Sequence, residues 1–250
     1  MMAVVRLLFD PPASGPWNMA VDESLLETAA ATGRAALRFY QWQVPTLSLG
    51  YFQSAADRQQ HAASRDCPLV RRASGGGAIL HDRELTYGIA IAPSGHFVAS
   101  ELYDIAHQTL IAALAQFGVA AALYRASTQC KSTAATPSPP FLCFQRRTCS
   151  DIVCGEAKIV GSAQRRRRGG VLQHGSIVLA RSPLAPEVPG LLELTGQPIE
   201  PQELANAWTS VLGIRLGWEL TPGELTNKEA ARAKELVESR FGASEYTARR

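Results

Sequence analysis

The sequence predicts an α+β fold, a central, mostly antiparallel sheet flanked by helices. Two observations carry this expectation. Strand-like stretches with a two-residue period come in groups, and so do the helical ones, instead of alternating one by one as they would around a parallel sheet. A chain of 250 residues that is 46% hydrophobic also has enough apolar surface for a sizeable core, and one domain over 1–250 is the expected division.

In chain order, NMAVDESLLETAA (Asn18 to Ala30) reads as a helix. Asn18 is its expected cap, acidic residues fall in the first turn, and Val21, Leu25, Leu26 and Ala29 share one face. ALRFYQW and TLSLGYF read as strands separated by the Val44-Pro45 break. LTYGIAIA sets Leu85, Tyr87, Ile89 and Ile91 against smaller residues, the period of a strand with one bulky face. From about Glu101 to Phe117, Leu102, Ile105, Leu110, Leu114 and Phe117 recur at helical spacing, and Gly118 supplies a stop. STQCKSTAATPSPP, residues 127–140, is rich in Ser, Thr and Pro without apolar period, so a loop is expected to lead into Cys143. DIVC, AKIVGSA and VLQHGSIVLA return to a strand pattern. A helical extension over about 198–250 follows. Its first helix, PQELANAWTSVLG, has Pro201 in the first turn and Gly213 at the end. Its second starts near Asn227 behind a capping box of Thr226 and Glu229 and stops at Gly242.

The N-terminal apolar run is short and broken by Arg6 and Asp10, and no stretch approaches the roughly 18 apolar residues of a membrane span. A cytoplasmic protein without membrane contact is expected. Five cysteines, an odd number in a chain with no export signal, read as free thiols. The net charge of +3 is uneven: residues 141–170 carry a net +5, leaving −2 for the rest. The run Arg165, Arg166, Arg167 and Arg168 is either a solvated turn or a docking patch for an acidic macromolecule. Nucleic acid fits less well, because no aromatic residues are interleaved with the arginines.

Two stretches carry chemistry. RRASGGGAILHD (Arg71 to Asp82) has neither the lysine of a phosphate loop nor the spacing of a dinucleotide fingerprint. Its three glycines mark either a plain turn or a backbone against which a ligand is pressed, and His81 is either a hydrogen-bonding structural residue or part of a site. CFQRRTCSDIVCGEAKIVGSAQ holds Cys143, Cys149 and Cys154, spaced by five and four intervening residues with no CxxC, which suits neither zinc nor a redox pair. Cys154 reads as a small buried hydrophobe in a strand. Cys143 follows a loop and precedes Arg146 and Arg147, and strand pairing could bring Lys158 alongside it. A free thiol is mostly protonated at neutral pH, so a neighbouring ammonium is a physical route to a usable nucleophile.

As a set, RRASGGGAILHDRELTYGI, CFQ, KIVGSAQ and LQHGSIVL, with WNMAVDESLL and LRFYQWQVPTLSLGYFQ before them, resemble the biotin/lipoate protein ligase catalytic fold over about residues 17–179. Within it the pattern is similar to bacterial octanoyltransferases, in which a cysteine in a CF segment stands fifteen residues before the motif lysine, as Cys143 does before Lys158. The resemblance implies transfer of octanoate from octanoyl acyl carrier protein to a lysine of a lipoyl-domain protein, either the glycine cleavage H protein or an E2 subunit. It implies Cys143 as nucleophile and Lys158 as its activating cation. An acyl site is implied at Arg72, Ser74, Gly75, Gly76, Gly77, Ala78, Ile79, Leu80, His81, Gly161, Ser162, Ala163, His174, Gly175, Ser176 and Ile177. No metal or nucleotide cofactor is implied, because a thioester is already activated, and a monomer is expected.

One departure bears on this reading. Those transferases usually carry an arginine at the third glycine, whereas Gly75, Gly76 and Gly77 resemble ATP-dependent lipoate ligases. Such ligases do not need a cysteine at Cys143; their GRND segment is missing here, and little room follows Leu179 for their extra C-terminal domain. An ATP-dependent ligase and a catalytically silent acyl-binding module remain as alternatives.

Overall fold

A computed structural model of the chain describes residues 3–92, 99–124 and 140–249; of the stretch expected to form a loop before Cys143, residues 127–139 lie outside the described residues. The elements run β1 (Ala3–Phe9), α1 (Gly15–Thr32), β2 (Ala35–Tyr40), β3 (Thr46–Leu49), β4 (Leu69–Arg71), β5 (Ile79–His81), β6 (Glu84–Ile91), α2 (Ala99–Ala115), β7 (Ala121–Leu123), β8 (Ile152–Cys154), β9 (Ala157–Arg167), β10 (Gly170–Val178), α3 (Leu191–Thr195), α4 (Pro201–Leu216), β11 (Trp218–Pro222), α5 (Asn227–Leu236) and α6 (Ser244–Ala248). Among the described residues, eight strands form one sheet in the order β11-β1-β2-β6-β10-β9-β8-β7, and β4-β3-β5 form a second. The large sheet is antiparallel except where β1 runs parallel to β2 and β11.

The size alternation in β6 explains how the layers stack. Leu85, Tyr87, Ile89 and Ile91 enter a core shared with Leu102, Ala106 and Leu110 of α2 and with Leu204, Trp208 and Leu212 of α4. On the opposite face the small residues let α1 come close: a Cβ on Gly88 would lie 3.1 Å from the Asp22 carboxylate. Leu25, Leu26 and Ala29 of α1 pack there with Ala90, Leu172 and Ala233. Both faces of β6 are thus covered and all eight of its residues are buried. Each fully buried leucine at these faces contributes about 2 kcal/mol through lost apolar exposure.

Several boundaries differ from the sequence expectations. α1 begins at Gly15, because Pro16 has a backbone already set for a first turn. Asn18 is therefore inside the helix and buried; its amide donates to the carbonyls of Ala13 (3.3 Å) and Gln41 (3.1 Å) and ties the helix to β2. TLSLGYF stops as a strand at Leu49, since Gly50 turns against the Gly76 carbonyl in a space no side chain fits. α4 passes through Gly213, against which Trp218 and Leu220 pack, and ends at Gly217 with φ +63°. β9 continues through Arg167, and Arg168 and Gly169, with φ +48° and +84°, form its two-residue hairpin turn to β10. The expected capping box of Thr226 and Glu229 opens α5, which passes through a π-helical turn, Val237–Phe241, to Gly242. The expected helical extension also holds β11, which extends the sheet beside β1. Among the described residues no helix is long and apolar enough to cross a membrane.

Candidate active site

Cys143 sits in a single 3-10 turn, Cys143–Gln145, and is fixed from behind. Its N–H donates to the Ala78 carbonyl at 2.7 Å, and Leu142 bridges to Ala78. The Gly-rich segment runs directly against it: a Cβ on Gly77 would stand 3.3 Å from Cys143 Cα, and Gly76 adopts φ +98°. These glycines are needed for close approach and a left-handed turn.

Lys158 reaches the same thiol from β9. Ile152 pairs with Val160 and Val153 with Lys158, so Ile159 is an extra residue, and both Ile159 and Val160 enter the α2 core. The bulge turns Lys158 to the opposite face. There Nζ donates toward Cys143 Sγ at 3.6 Å and forms an ion pair with Asp151 Oδ1 at 2.9 Å. Gly161 makes the room, since a Cβ there would lie 2.7 Å from Lys158 Cε and 3.0 Å from Nζ. Lys158 is 5% exposed and Asp151 3%, and the other Asp151 oxygen accepts the Thr148 N–H at 2.7 Å. A buried ion pair is tolerated when its remaining lone pairs are satisfied in this way, and an ammonium with three donors can hold a carboxylate and still face a sulfur.

A pocket opens beside the thiol, and two strings of side chains brace its walls. His81 Nδ1 faces Glu84 at 2.7 Å and Nε2 faces Ser48 Oγ at 2.6 Å, while the ring stacks on Trp42 at 3.9 Å. Burial outweighs the neighbouring carboxylate and moves the His81 pKa below the ordinary imidazole value. His174 Nε2 lies 2.5 Å from Ser74 Oγ and Nδ1 lies 3.4 Å from Asp22. Burial raises the Asp22 pKa, but His174 and Arg38 outweigh it and hold the carboxyl below its usual range. Arg72 donates to Ser48 O (2.9 Å), Ser48 Oγ (2.6 Å), Gly75 O (3.2 Å) and Gly77 O (2.9 Å) and so moulds the glycine turn. Burial brings its pKa to about 10, which leaves it cationic at neutral pH.

The floor is held from the α2 side. His107 Nδ1 lies 2.6 Å from the Ser150 carbonyl, which can only accept, so Nδ1 carries the proton and Nε2 accepts the Ser162 hydroxyl at 2.7 Å. Tyr87 OH lies 2.6 Å from the same hydroxyl. Burial lowers the His107 pKa to about 4, which keeps this arrangement neutral.

Of the residues expected at the acyl site, Arg72, Gly75, Gly76, Ile79, His81, Gly161, Ser162, Ala163, His174, Gly175 and Ser176 meet at this pocket with Cys143 and Lys158. Ser74, Gly77 and Ala78 stand behind its wall through the contacts above. Leu80 and Ile177 do not line it. The two-residue period of β5 turns Leu80 toward a separate hollow with Leu142 and Phe144, and that of β10 sends Ile177 into the α2 core. Sequence reasoning missed Asp151, Met19, Tyr40 and Thr86; an acidic residue opening the strand that faces Lys158 was the available signal for Asp151. Arg146 and Arg147 turn away, to Pro140 O and to Glu156. The arginine run is not one patch: Arg167 pairs with Glu23 and, at 3.5 Å, Glu27, Arg165 faces Tyr51, and Arg166 and Arg168 are exposed. Cys149 is exposed and Cys154 is half-buried beside the α2 core, and among the described residues no three His, Cys, Asp or Glu are placed to hold a metal.

The chain is similar to known proteins in sequence and in fold. Residues 14–183 match the lipoyl protein ligase A/B catalytic domain. The chain is 33% identical to octanoyltransferase LipM of Kyrpidia tusciae, covering 100% of both chains. It is 35% identical to octanoyltransferase LipM of Symbiobacterium thermophilum, covering 98% of each. Among solved structures, lipoate-protein ligase A bound with ATP superposes with a TM-score of 0.78 at 22% identity over 99% of both chains. A bi-partite lipoate protein ligase from Thermoplasma acidophilum gives 0.77 at 20% identity, over 98% of this chain and 96% of that one; at such identities these two share the fold alone. The glycine turn, the lysine of β9 and the pocket between them all lie inside the matched residues, and the chain belongs to the lipoyl protein ligase A/B catalytic domain family.

Proposed function

We propose that the protein is a cysteine-dependent octanoyltransferase that moves octanoate from a thioester donor, octanoyl acyl carrier protein, to a lysine of a lipoyl-domain protein. The observation that carries this reading is the Lys158 ammonium 3.6 Å from the Cys143 thiol at the edge of a pocket. The relatives called octanoyltransferase support the same reaction class. In the first half-reaction the Cys143 thiolate attacks the donor carbonyl, a new C–S bond forms, and the donor sulfur leaves and takes up a proton. In the second, the neutral amine of the acceptor lysine attacks the acyl-cysteine. The C–S bond breaks, an amide forms, and the amine gives up one proton as the thiolate is restored. Lys158 holds the thiolate and lies where it can polarise the carbonyl, while Asp151 keeps it in place. The acceptor is the glycine cleavage H protein or an E2 lipoyl domain, and exposed Arg166 and Arg168 are available to an acidic partner.

The run Gly75–Gly77 favours a second reading, an ATP-dependent ligase on the same fold. One assay separates the two: octanoylation of a lipoyl-domain acceptor, measured with octanoyl acyl carrier protein and no ATP, and in parallel with free octanoate and ATP. The transferase reading expects product only in the first mixture and none from Cys143→Ala. Product only in the second, or full activity in the variant, contradicts it.

A further inference from the structure

Where the glycine turn meets β9, one side of the pocket is bordered by a cluster of arginines. The Tyr51 N–H donates to Ser74 O at 2.8 Å, and Phe52 lies 4.0 Å from where a Gly75 Cβ would be, so the 50–52 segment packs on the turn that lines the pocket. Arg165 lies two residues beyond Ala163, on the same face of β9, and its guanidinium stands 5.7 Å from the Tyr51 ring centre. Arg249 stacks between Tyr51, at 4.0 Å, and Tyr246, at 4.4 Å. Buried Arg71 holds the chain there, donating to the carbonyls of Gly50, Gln53, Thr247 and Arg249.

Stacking uses the faces of a guanidinium and leaves its in-plane N–H groups for hydrogen bonds, and one side-chain hydrogen bond joins Arg249 to Tyr51. At Arg249 both Nε and Nη2 are shielded from solvent and lack a hydrogen-bond partner among the described residues, and so does Arg165 Nε. Arg6 and Arg58 also have an unpartnered Nε, but the Nη2 beside it is bonded in each; Arg249 alone among them leaves two adjacent donors open. Nε and Nη2 form the edge that takes an oxyanion with two parallel hydrogen bonds. A shielded donor without a partner marks a missing acceptor, an ion or a water. Among the described residues no carboxylate forms an ion pair with Arg165 or Arg249.

We propose that Arg249 and Arg165, across Tyr51, bind the phosphodiester that tethers the donor's pantetheine arm to its carrier. The inference rests on the thioester-donor reading above and adds a recognition site to it. The distance is suitable. Arg165 is four residues along β9 from Gly161, about 13 Å at the rise of a strand, and Gly161 abuts Lys158 beside the thiol. The pantetheine arm has about thirteen bonds from phosphorus to sulfur and reaches about 15 Å at the extension per bond of a peptide chain. A sulfur at Cys143 and a phosphate at this cluster can thus belong to one arm. The guanidinium edge turns outward from its stack to meet the anion.

The test compares octanoyl pantetheine, octanoyl 4′-phosphopantetheine and octanoyl acyl carrier protein as donors, for wild type and Arg165→Gln/Arg249→Gln, with melting curves as a control for folding. Wild type is expected to favour phosphopantetheine over pantetheine by about tenfold or more in kcat/KM, through KM, and in the variant that ratio falls toward one. No preference in wild type, or a preference the variant keeps, overturns the proposal. A loss confined to the carrier donor also overturns it and assigns the arginines to the acidic carrier surface. Calorimetry with 4′-phosphopantetheine and pantetheine separates the two readings: if wild type forms no acyl-enzyme with any donor, the transferase reading fails. Phosphate-dependent binding lost in the variant would still identify the anion site, and equal binding of both molecules would rule it out.

Discussion

Gly161 and Gly175 lie on neighbouring strands, and a single added methyl has different consequences at each. At Gly161 it meets the end of a flexible lysine side chain, so Gly161→Ala should cost less than about 1 kcal/mol in stability but displace Lys158 from the thiol. Alkylation of Cys143 by iodoacetamide at neutral pH is expected to slow about tenfold or more; an unchanged rate would remove Lys158 from thiol activation. At Gly175 the methyl meets Tyr87 at 2.6 Å and the Gly161 carbonyl at 2.9 Å, in a wall that cannot yield, so Gly175→Ala should lower stability by about 2 kcal/mol. Asp151→Asn leaves a buried ammonium without its carboxylate and should cost about 3 kcal/mol, read by urea denaturation; a cost near zero would mean that the pair does not hold Lys158. Cys143 and Lys158 were legible in the sequence because a cysteine after a loop and a lysine among small residues are each unusual. Asp151 was not, since an aspartate before a strand reads equally well as a turn residue.

His107 couples elements: it sits on α2, accepts from β9 through Ser162 and donates to the Ser150 carbonyl beside Asp151. Its folded pKa, about 4, lies below the ordinary imidazole value because burial disfavours the charged ring. Between about pH 6.5 and 4 the unfolded chain therefore binds a proton that the native protein does not, and stability falls as pH drops through that window. The loss is on the order of 3 kcal/mol. Urea midpoints measured from pH 7 to 4.5 should fall more steeply for wild type than for His107→Gln; parallel profiles would contradict the assignment. Elements with a local signature were readable in advance: α2 by its apolar period and α5 by Thr226 and Glu229. The start of α1 was misplaced because Asn18 resembles a cap while it serves a tertiary contact to Gln41. β1 and β11 carry no such signature: they pair with each other from opposite ends of the chain, and β1 pairs on its other edge with β2, and the β1–β11 contact is one that no local pattern encodes.

At the scale of the molecule, the site forms where the small sheet closes over one face of the large one. The Gly-rich turn leads into β5, the lysine comes from β9 and the thiol from a turn zipped to Ala78, so three distant segments must converge before any chemistry is possible. The fold class and this convergence were legible through the motif set. The division of the arginine run was not, because Arg167 is claimed by α1 and Arg165 by Tyr51 only once the β9–β10 hairpin has formed. The central claim is that Cys143 carries the acyl group between donor and acceptor. Intact mass spectrometry of the protein mixed with octanoyl acyl carrier protein, without ATP or acceptor, tests it most directly. One octanoyl group should appear, be removed by hydroxylamine, map to Cys143, and disappear again as product when the acceptor is added. An octanoyl group that maps elsewhere, or acceptor octanoylated at the wild-type rate by Cys143→Ala, would contradict the account.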